Sequence, residues 1–314
     1  MAKVQEISKE KKVIVENAIQ VKPEGVKSVS YSQYSVYKQC PYRWNLTYKE
    51  GMFPFTSSIS TVFGTALHET LQHYLTVLYT VSVKESEEIV FADLLYANMV
   101  AAYREELKKN GGVHFIDKAD MEEHYEDGLE ILHYLRKKRK ILFDYRNIEL
   151  VAVELPGYVP IFEDGKLVFN YFLDLVFYDR QEGRYLILDL KTSKSGWTKF
   201  QKQDTLKLEQ VLLYKKYFSK FYNVTPDQIE VKFLIVKRKV SEDFDWPIPR
   251  HTMFIPAQGA GKVNSAVTNL EDFVKNCFNM DGTFKEVYHP KTPSKDSCKF
   301  CPYANTEHCN MIAD

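Results

Sequence analysis

Two acidic residues stand where the chain otherwise reads as buried strand: Asp174 in FNYFLDLVFYD and Asp189 in RYLILDLKTSK. A carboxylate in such a setting is costly unless it is paired or binds a cation. Lys191 follows Asp189 by two residues. At strand periodicity residues two apart point to the same face, so Asp189 and Lys191 project together into one site. An isolated Asp-x-Lys triplet also describes an ordinary surface ion pair. Downstream, Gln210 and Tyr214 are spaced i,i+4 in LEQVLLYKKYF and share one helical face, as many plain surface contacts do. Upstream, His68 lies in FGTALHETLQHYL, a helix in which Gly64 would let another backbone approach closely. A lone helical histidine is usually structural or solvated.

Cysteine supplies a second group. The chain has five cysteines, and Cys298, Cys301 and Cys309 all fall within DSCKFCPYANTEHC. Where thiols stay reduced, a C-x2-C knuckle with a further cysteine nearby reads as metal ligation rather than as disulfides. Three thiolates leave a tetrahedral ion or an iron-sulfur cluster one ligand short. The fourth ligand has three candidates: His308, Cys277 in FVKNCFNM, and Cys40 in YSQYSVYKQCPYRW. Cys277 reads more readily as a small core residue. Around Cys40, Tyr34, Tyr37 and Trp44 recur at helical spacing, and Pro41 stops the helix just after the thiol.

Several elements must position these groups. With 314 residues and 45% hydrophobic content the chain can bury a large core. Its 42 basic and 42 acidic residues give no net charge, which argues against a coat of non-specific positive charge but leaves room for a basic groove. RKKRK at 136–140 reads as a solvated helix terminus suited to the helix dipole. No window approaches the roughly 18 uncharged residues of a membrane span. MAKVQEISKEKKVIVENAIQ lacks a hydrophobic block with a cleavage site, so a cytoplasmic protein is expected. Four segments follow from the patterning: an N-terminal extension over 1–29, a mainly helical portion over 30–145, a core over 146–260, and a C-terminal helix with the cysteine segment over 261–314. The core opens on a β-meander of short β-rich runs divided by EDG and RQEG. A helix over DTLKLEQVLLYKKYFSKFY and strands at IEVKFLIVKR and HTMFIPA complete it. AQGAGKVNS is not a Walker A motif: Val263 stands where Ser or Thr is required and Pro256 where the first glycine should be. No motor is expected in this chain.

In order along the chain stand C-P at 40–41, G-T-A-L-H at 64–68, Asp174, D-L-K at 189–191, Q-x3-Y at 210–214 and C-x2-C-x7-C at 298–309. This order resembles the PD-(D/E)XK nuclease superfamily, and within it the RecB-type nucleases that carry an iron-sulfur cluster. That group includes the nuclease domains of AddB-type helicase-nucleases, the stand-alone CRISPR-adaptation exonucleases and their phage relatives. The resemblance runs from Tyr31 to Cys309. It implies an α/β fold with a restriction-endonuclease-like core, in which a mixed central sheet is flanked by helices. A helical N-terminal portion and a C-terminal metal-cluster segment would complete the fold.

The resemblance also assigns roles. His68 matches the family's metal-ligating histidine, Asp174 and Asp189 its second- and third-motif acids, and Lys191 its catalytic lysine. Gln210 and Tyr214 match the element that helps position the DNA backbone and the lysine. Mg2+ or Mn2+ would be held by Asp174, Asp189, His68, the backbone carbonyl of Leu190 and, at the margin, Glu154 in VAVELPGY. Cys40, Cys298, Cys301 and Cys309 match the ligands of a 4Fe-4S cluster, with Zn2+ as the alternative. Two positions depart from the pattern. Tyr171 stands three residues before Asp174, where the family often has glycine, with a narrowed groove as the expected result. The last two cysteines are more widely spaced than usual, which keeps His308 open as a ligand. The implied activity is hydrolysis of DNA by an exonuclease acting on ends or single strands, with a helicase, recombination or adaptation partner. The alternatives are a structure-specific endonuclease on the same scaffold and a non-catalytic DNA-binding or assembly subunit holding a structural zinc.

Overall fold

Strand-period and helix-period segments alternate much as the sequence patterning requires. In the computed structural model, residues 21–144, 146–163, 166–240 and 248–310 are described. The first twenty residues of the expected N-terminal extension and part of the EDG turn lie outside them.

The chain enters through β1 (Lys27–Ser30). Ser30 accepts a hydrogen bond from the Gln33 amide and so caps α1 (Tyr31–Gln39). At Cys40 the backbone becomes extended, and Pro41 opens the short α2 (Pro41–Trp44). A π-helical turn (Asn45–Lys49) and then four α-helices follow: α3 (Ile59–Thr80), α4 (Val83–Glu88), α5 (Phe91–Lys109) and α6 (Lys118–Leu142). In α3 the buried positions Phe63, Leu67, Leu71, Tyr74, Leu75 and Leu78 form one stripe. The basic run that ends α6 is less solvated than expected. Arg136 donates to the Ile89 carbonyl at 2.6 Å and lies 3.7 Å from the centre of the Phe91 ring, while Arg139 pairs with Glu87 at 2.7 Å.

β2 (Ile148–Pro160), β3 (Leu167–Asp179) and β4 (Arg184–Ser193) form the antiparallel meander. After α7 (Lys199–Gln203) and α8 (Thr205–Tyr222), β5 (Ile229–Lys237) returns parallel to β4, as a crossover through a helix allows. β6 (His251–Phe254) then pairs antiparallel with β5, followed by α9 (Ala260–Cys277) and α10 (Lys295–Lys299). Among the described residues this gives a six-stranded mixed sheet, in the order β1-β3-β4-β5-β6 with β2 on the other edge of β3.

Helices cover both faces. One core packs α1, α8 and α9 on Phe169, Leu173, Ile187, Val231 and Phe233; the other packs α3, α5 and α6 on Leu175, Phe177, Leu188 and Leu234. A fully buried side chain of this kind contributes roughly 1.5–3 kcal/mol, so the sheet is held firmly from both sides.

One irregularity in this sheet builds the site. Because β2 occupies one edge of β3, β1 and β4 must share the other. β1 pairs with residues 167–170 and β4 with residues 175–179, so 171–174 are left without a ladder partner on that edge. At the same place β3 changes face: Phe169, Tyr171 and Leu173 point into the first core, Leu175 and Phe177 into the second. A regular strand keeps alternate residues on one face. The switch therefore falls at Asp174. Opposite it on β2, Glu154 has φ 48°, a left-handed backbone unusual for a residue with a side chain.

Candidate active site

Asp174 sits in the break between β1 and β4. Its Oδ2 accepts a hydrogen bond from the Leu190 amide at 2.7 Å, and His68 Nδ1 lies 3.8 Å from the same oxygen. Asp189 and Lys191 follow the strand periodicity of β4. Asp189 is 2% exposed, and the Lys191 ammonium lies 2.8 Å from its Oδ2. That contact is close enough for an ion pair, yet no donor is aligned on Oδ2 for a hydrogen bond.

The electrostatics follow from two carboxylates sharing one lysine. Burial, reinforced by the Asp189 charge, pushes the Asp174 carboxyl up to about 8, against the pull of the Leu190 amide and Lys191. Asp189 is also raised by burial, with Lys191 opposing. Burial disfavours the charged form of Lys191, but the two carboxylates outweigh it and raise its pKa. Burial, then the Lys191 charge, lowers His68 to about 4, with the Leu190 backbone opposing, so its imidazole is neutral at ordinary pH.

α3 brings the histidine to the acids. Gly64, His68 and Gln72 are spaced i,i+4 and form one stripe along the helix. Gln72 was not singled out from the sequence, though this spacing could have pointed to it. It is buried, donates to Glu154 Oε1, and reaches the Asp174 carbonyl at 3.4 Å. Glu154 is thereby drawn to the edge of the site, where its own carboxylate remains exposed.

On the other side, a cleft of about 330 Å3 is lined by Lys191, Thr192, Gln210, Trp197, Lys207 and Tyr31, among others. Gln210 Nε2 donates to the Tyr214 hydroxyl at 2.7 Å. Tyr214 is buried, and its hydroxyl is held protonated first by burial and then by the Asp189 charge. It therefore stands behind Gln210 and acts on the cleft through it. α8 is held in turn by the buried Glu209, which accepts from the Tyr34 hydroxyl and from Asn269 Nδ2. Tyr171 does not reach the groove. It is buried with its ring packed over Gly157, where a Cβ would fall inside that ring.

The oxygen-rich set of Asp174, Asp189 and the Leu190 carbonyl, with one imidazole, suits Mg2+ or Mn2+. The two buried carboxyls share the Lys191 ammonium and burial raises both pKa values, so a divalent ion bound there would favour their ionised forms.

The thiols behave differently from one another. Cys40, Cys298, Cys301 and Cys309 line one small cavity of about 20 Å3 together with Tyr42, Ser297 and Tyr303. The surrounding loops join the two ends of the chain: the Tyr42 amide donates to the Pro290 carbonyl at 3.1 Å, and its hydroxyl to the His308 carbonyl at 3.2 Å. Cys277 is buried in the first core, where burial pushes its thiol pKa up. The His308 side chain pairs with Glu307 at 3.6 Å and is not among the residues that line the thiol cavity. Among the described residues, no three ligating side chains stand at metal-holding separation, in this cavity or at the acids. The thiols share a cavity but would have to draw together to clasp a metal.

A family model for the PD-(D/E)XK nuclease superfamily matches residues 28–306, from the second residue of β1 past the end of α10, and leaves out Cys309. The chain belongs to the PD-(D/E)XK nuclease superfamily. Members are generally metal-dependent phosphodiester hydrolases acting on nucleic acid, and they typically use Mg2+ or Mn2+. No curated protein matches the chain. Among the described residues no helix is long and apolar enough to cross a membrane.

Proposed function

We propose that this protein is a RecB-type deoxyribonuclease that hydrolyses phosphodiester bonds at DNA ends or in single strands, as an exonuclease. The observation that carries the reading is the convergence of Asp174, Asp189 and Lys191 at the one break in the β3 edge, with His68 delivered from α3.

Asp174, Asp189, His68 and the Leu190 carbonyl would hold the Mg2+ or Mn2+ ion, with Glu154 at the margin. When bound, that ion would polarise the scissile phosphate and ease deprotonation of the attacking water. Lys191, fixed by Asp189, places a positive point charge where charge develops on the phosphate in the transition state. Gln210, oriented by Tyr214, presents its remaining amide capacity to the substrate backbone in the cleft. His68, neutral at ordinary pH, would offer the ion a lone pair rather than repel it.

The four cysteines would hold a 4Fe-4S cluster that staples the two ends of the domain, a mainly structural role. Their shared cavity supports this. The chain carries no Walker A motif, so extended resection of duplex DNA would rely on a helicase or a recombination or adaptation partner, working in the cytoplasm.

End-labelled linear and covalently closed circular single strands, incubated with Mg2+ or Mn2+, test the reading. Loss of the linear strand from one end with circles intact supports an exonuclease. Cutting of circles assigns an endonuclease on the same scaffold, and binding with no cleavage under any metal assigns an assembly subunit.

A further inference from the structure

From Lys191 onward the chain reads KTSKSGWTKFQKQDTLK, residues 191–207, with five lysines against one acid in a protein of no net charge. Two aromatic residues, Trp197 and Phe200, stand among the lysines. Lysines interleaved with aromatic rings suit a surface that tracks a polyanion and stacks its unpaired bases. Solvation accounts for the lysines but not for the rings. Phe200 faces solvent, whereas Trp197 lines the cleft beside Lys191 and Gln210.

Local structure holds Trp197 in place. Ser193 Oγ donates to the Gly196 carbonyl at 3.0 Å and accepts from the Gly196 amide at 3.2 Å, and Gly196 turns the chain with φ 96°, a backbone that favours glycine. Directly after the tryptophan, Thr198 and Gln201 form a capping box that starts α7. The ring is thus fixed between a turn and a capped helix. Behind it the fully buried Phe233 lies at 4.9 Å, tilted by 53°, and Phe254 meets it at 6.2 Å and 64°. Neither ring lies flat on the indole, which remains only partly buried. The Lys207 ammonium stands 5.9 Å from the centre of the ring, over the face that opens on the cleft, and its side chain is 43% exposed. Its flexible stem lets that charge move aside to meet a phosphate.

We propose that Trp197 is a base-stacking residue: its indole receives the base of an unpaired nucleotide whose phosphate lies in the cleft among Lys191, Lys207 and Gln210. Lys207 then exchanges its place over the ring for that phosphate. Trp197 positions the strand and touches none of the reacting atoms. Bases in a duplex are already stacked on their neighbours, so the site favours single strands. This deepens the nuclease reading and rests on it for the place of the strand.

The test titrates wild type, Trp197→Leu and Trp197→Phe in Ca2+ with an oligothymidylate and with an abasic strand of the same length, which keeps the phosphates and lacks the bases. Affinity, tryptophan fluorescence and melting temperature are measured. Oligothymidylate should quench the fluorescence of wild type, and the abasic strand should not. Trp197→Leu should bind oligothymidylate about tenfold more weakly, a loss of ~1.4 kcal/mol, yet bind the abasic strand as wild type does. Trp197→Phe should recover most of the affinity without the quench. Equal losses on both strands would make the indole a packing group for Phe233 and overturn the assignment. So would wild-type affinity in Trp197→Leu, a quench that persists in Trp197→Phe, or no binding of oligothymidylate at all. If Trp197→Leu melts well below wild type, the base-dependent quench in wild type and its loss in Trp197→Phe decide the matter. A wild type that shows this quench but cleaves no strand under Mg2+ or Mn2+ sinks the nuclease reading and leaves the stacking residue standing.

Discussion

The Leu190 amide donates to Asp174 Oδ2 at 2.7 Å across the point where β3 and β4 stop pairing. The next pair in register after Leu175 and Leu188 would have been Asp174 and Asp189. Two adjacent acids thus end the ladder, and a single amide holds one of them in place. The strand break and the acid pair are one feature, so a change at either carboxylate should be felt in stability as well as in activity.

Asp174→Asn should therefore separate the two. Above pH 8, where the Asp174 carboxyl is ionised, removing a buried charge that competes with Asp189 should stabilise the metal-free protein by on the order of 1 kcal/mol, while nuclease activity is lost. Urea unfolding in EDTA measures the first effect. A variant less stable than wild type would show that the ionised carboxylate is part of what holds β3 to β4.

Stability without metal should fall between pH 6.5 and 8. The folded pKa of Asp174, about 8, lies above its ordinary value of 3.8. Its stabilisation is thus complete below 3.8 and is lost as pH rises through 8. His68 runs the other way: its folded value near 4 lies below 6.5, so its contribution is lost as pH falls from 6.5 toward 4. Above pH 6.5 the His68 contribution is constant and the raised Asp174 and Asp189 carboxyls set the slope, up to ~1.4 kcal/mol per pH unit for each proton lost. Unfolding in EDTA across this range should show the slope in wild type and a flatter line in Asp174→Asn. Added Mg2+ should protect most at the alkaline end, where the carboxylate is ionised.

Gly157→Ala should destabilise the fold by about 1–3 kcal/mol, since the new methyl must displace the Tyr171 ring from a packed core. Adding Tyr171→Leu should restore part of that loss in a double-mutant cycle. Additive penalties would show that Tyr171 does not need the space over Gly157.

The thiols make a contrasting pair of predictions. Anaerobically purified protein should absorb broadly near ~400 nm and carry about four irons per chain. Cys40→Ala should lower both the iron content and the melting temperature, whereas Cys277→Ala should leave the iron unchanged because that thiol belongs to the core. Colourless protein with one zinc would instead assign a zinc staple.

Periodicity made much of this legible in the sequence. Alternation in RYLILDLKTSK placed Asp189 and Lys191 on one face, the i,i+4 spacing joined Gln210 to Tyr214, and the two turn signals marked the meander. The break at Asp174 was not legible. It depends on β1, over 130 residues earlier in the chain, taking part of the β3 edge in parallel, which no local pattern encodes. The same holds for Tyr34 reaching Glu209 and for Arg136 lying on Phe91. In each case a polar group in a helix found its partner on an element distant in sequence. Gln72 was within reach, because it repeats the spacing of Gly64 and His68.

Cleavage of labelled DNA by wild type and Asp189→Ala, purified side by side and assayed with Mg2+ and Mn2+, tests the central claim most directly. The structure predicts metal-dependent cleavage by wild type and none above background by a folded Asp189→Ala. Cleavage that survives in Asp189→Ala would contradict the site, whatever the family of the chain.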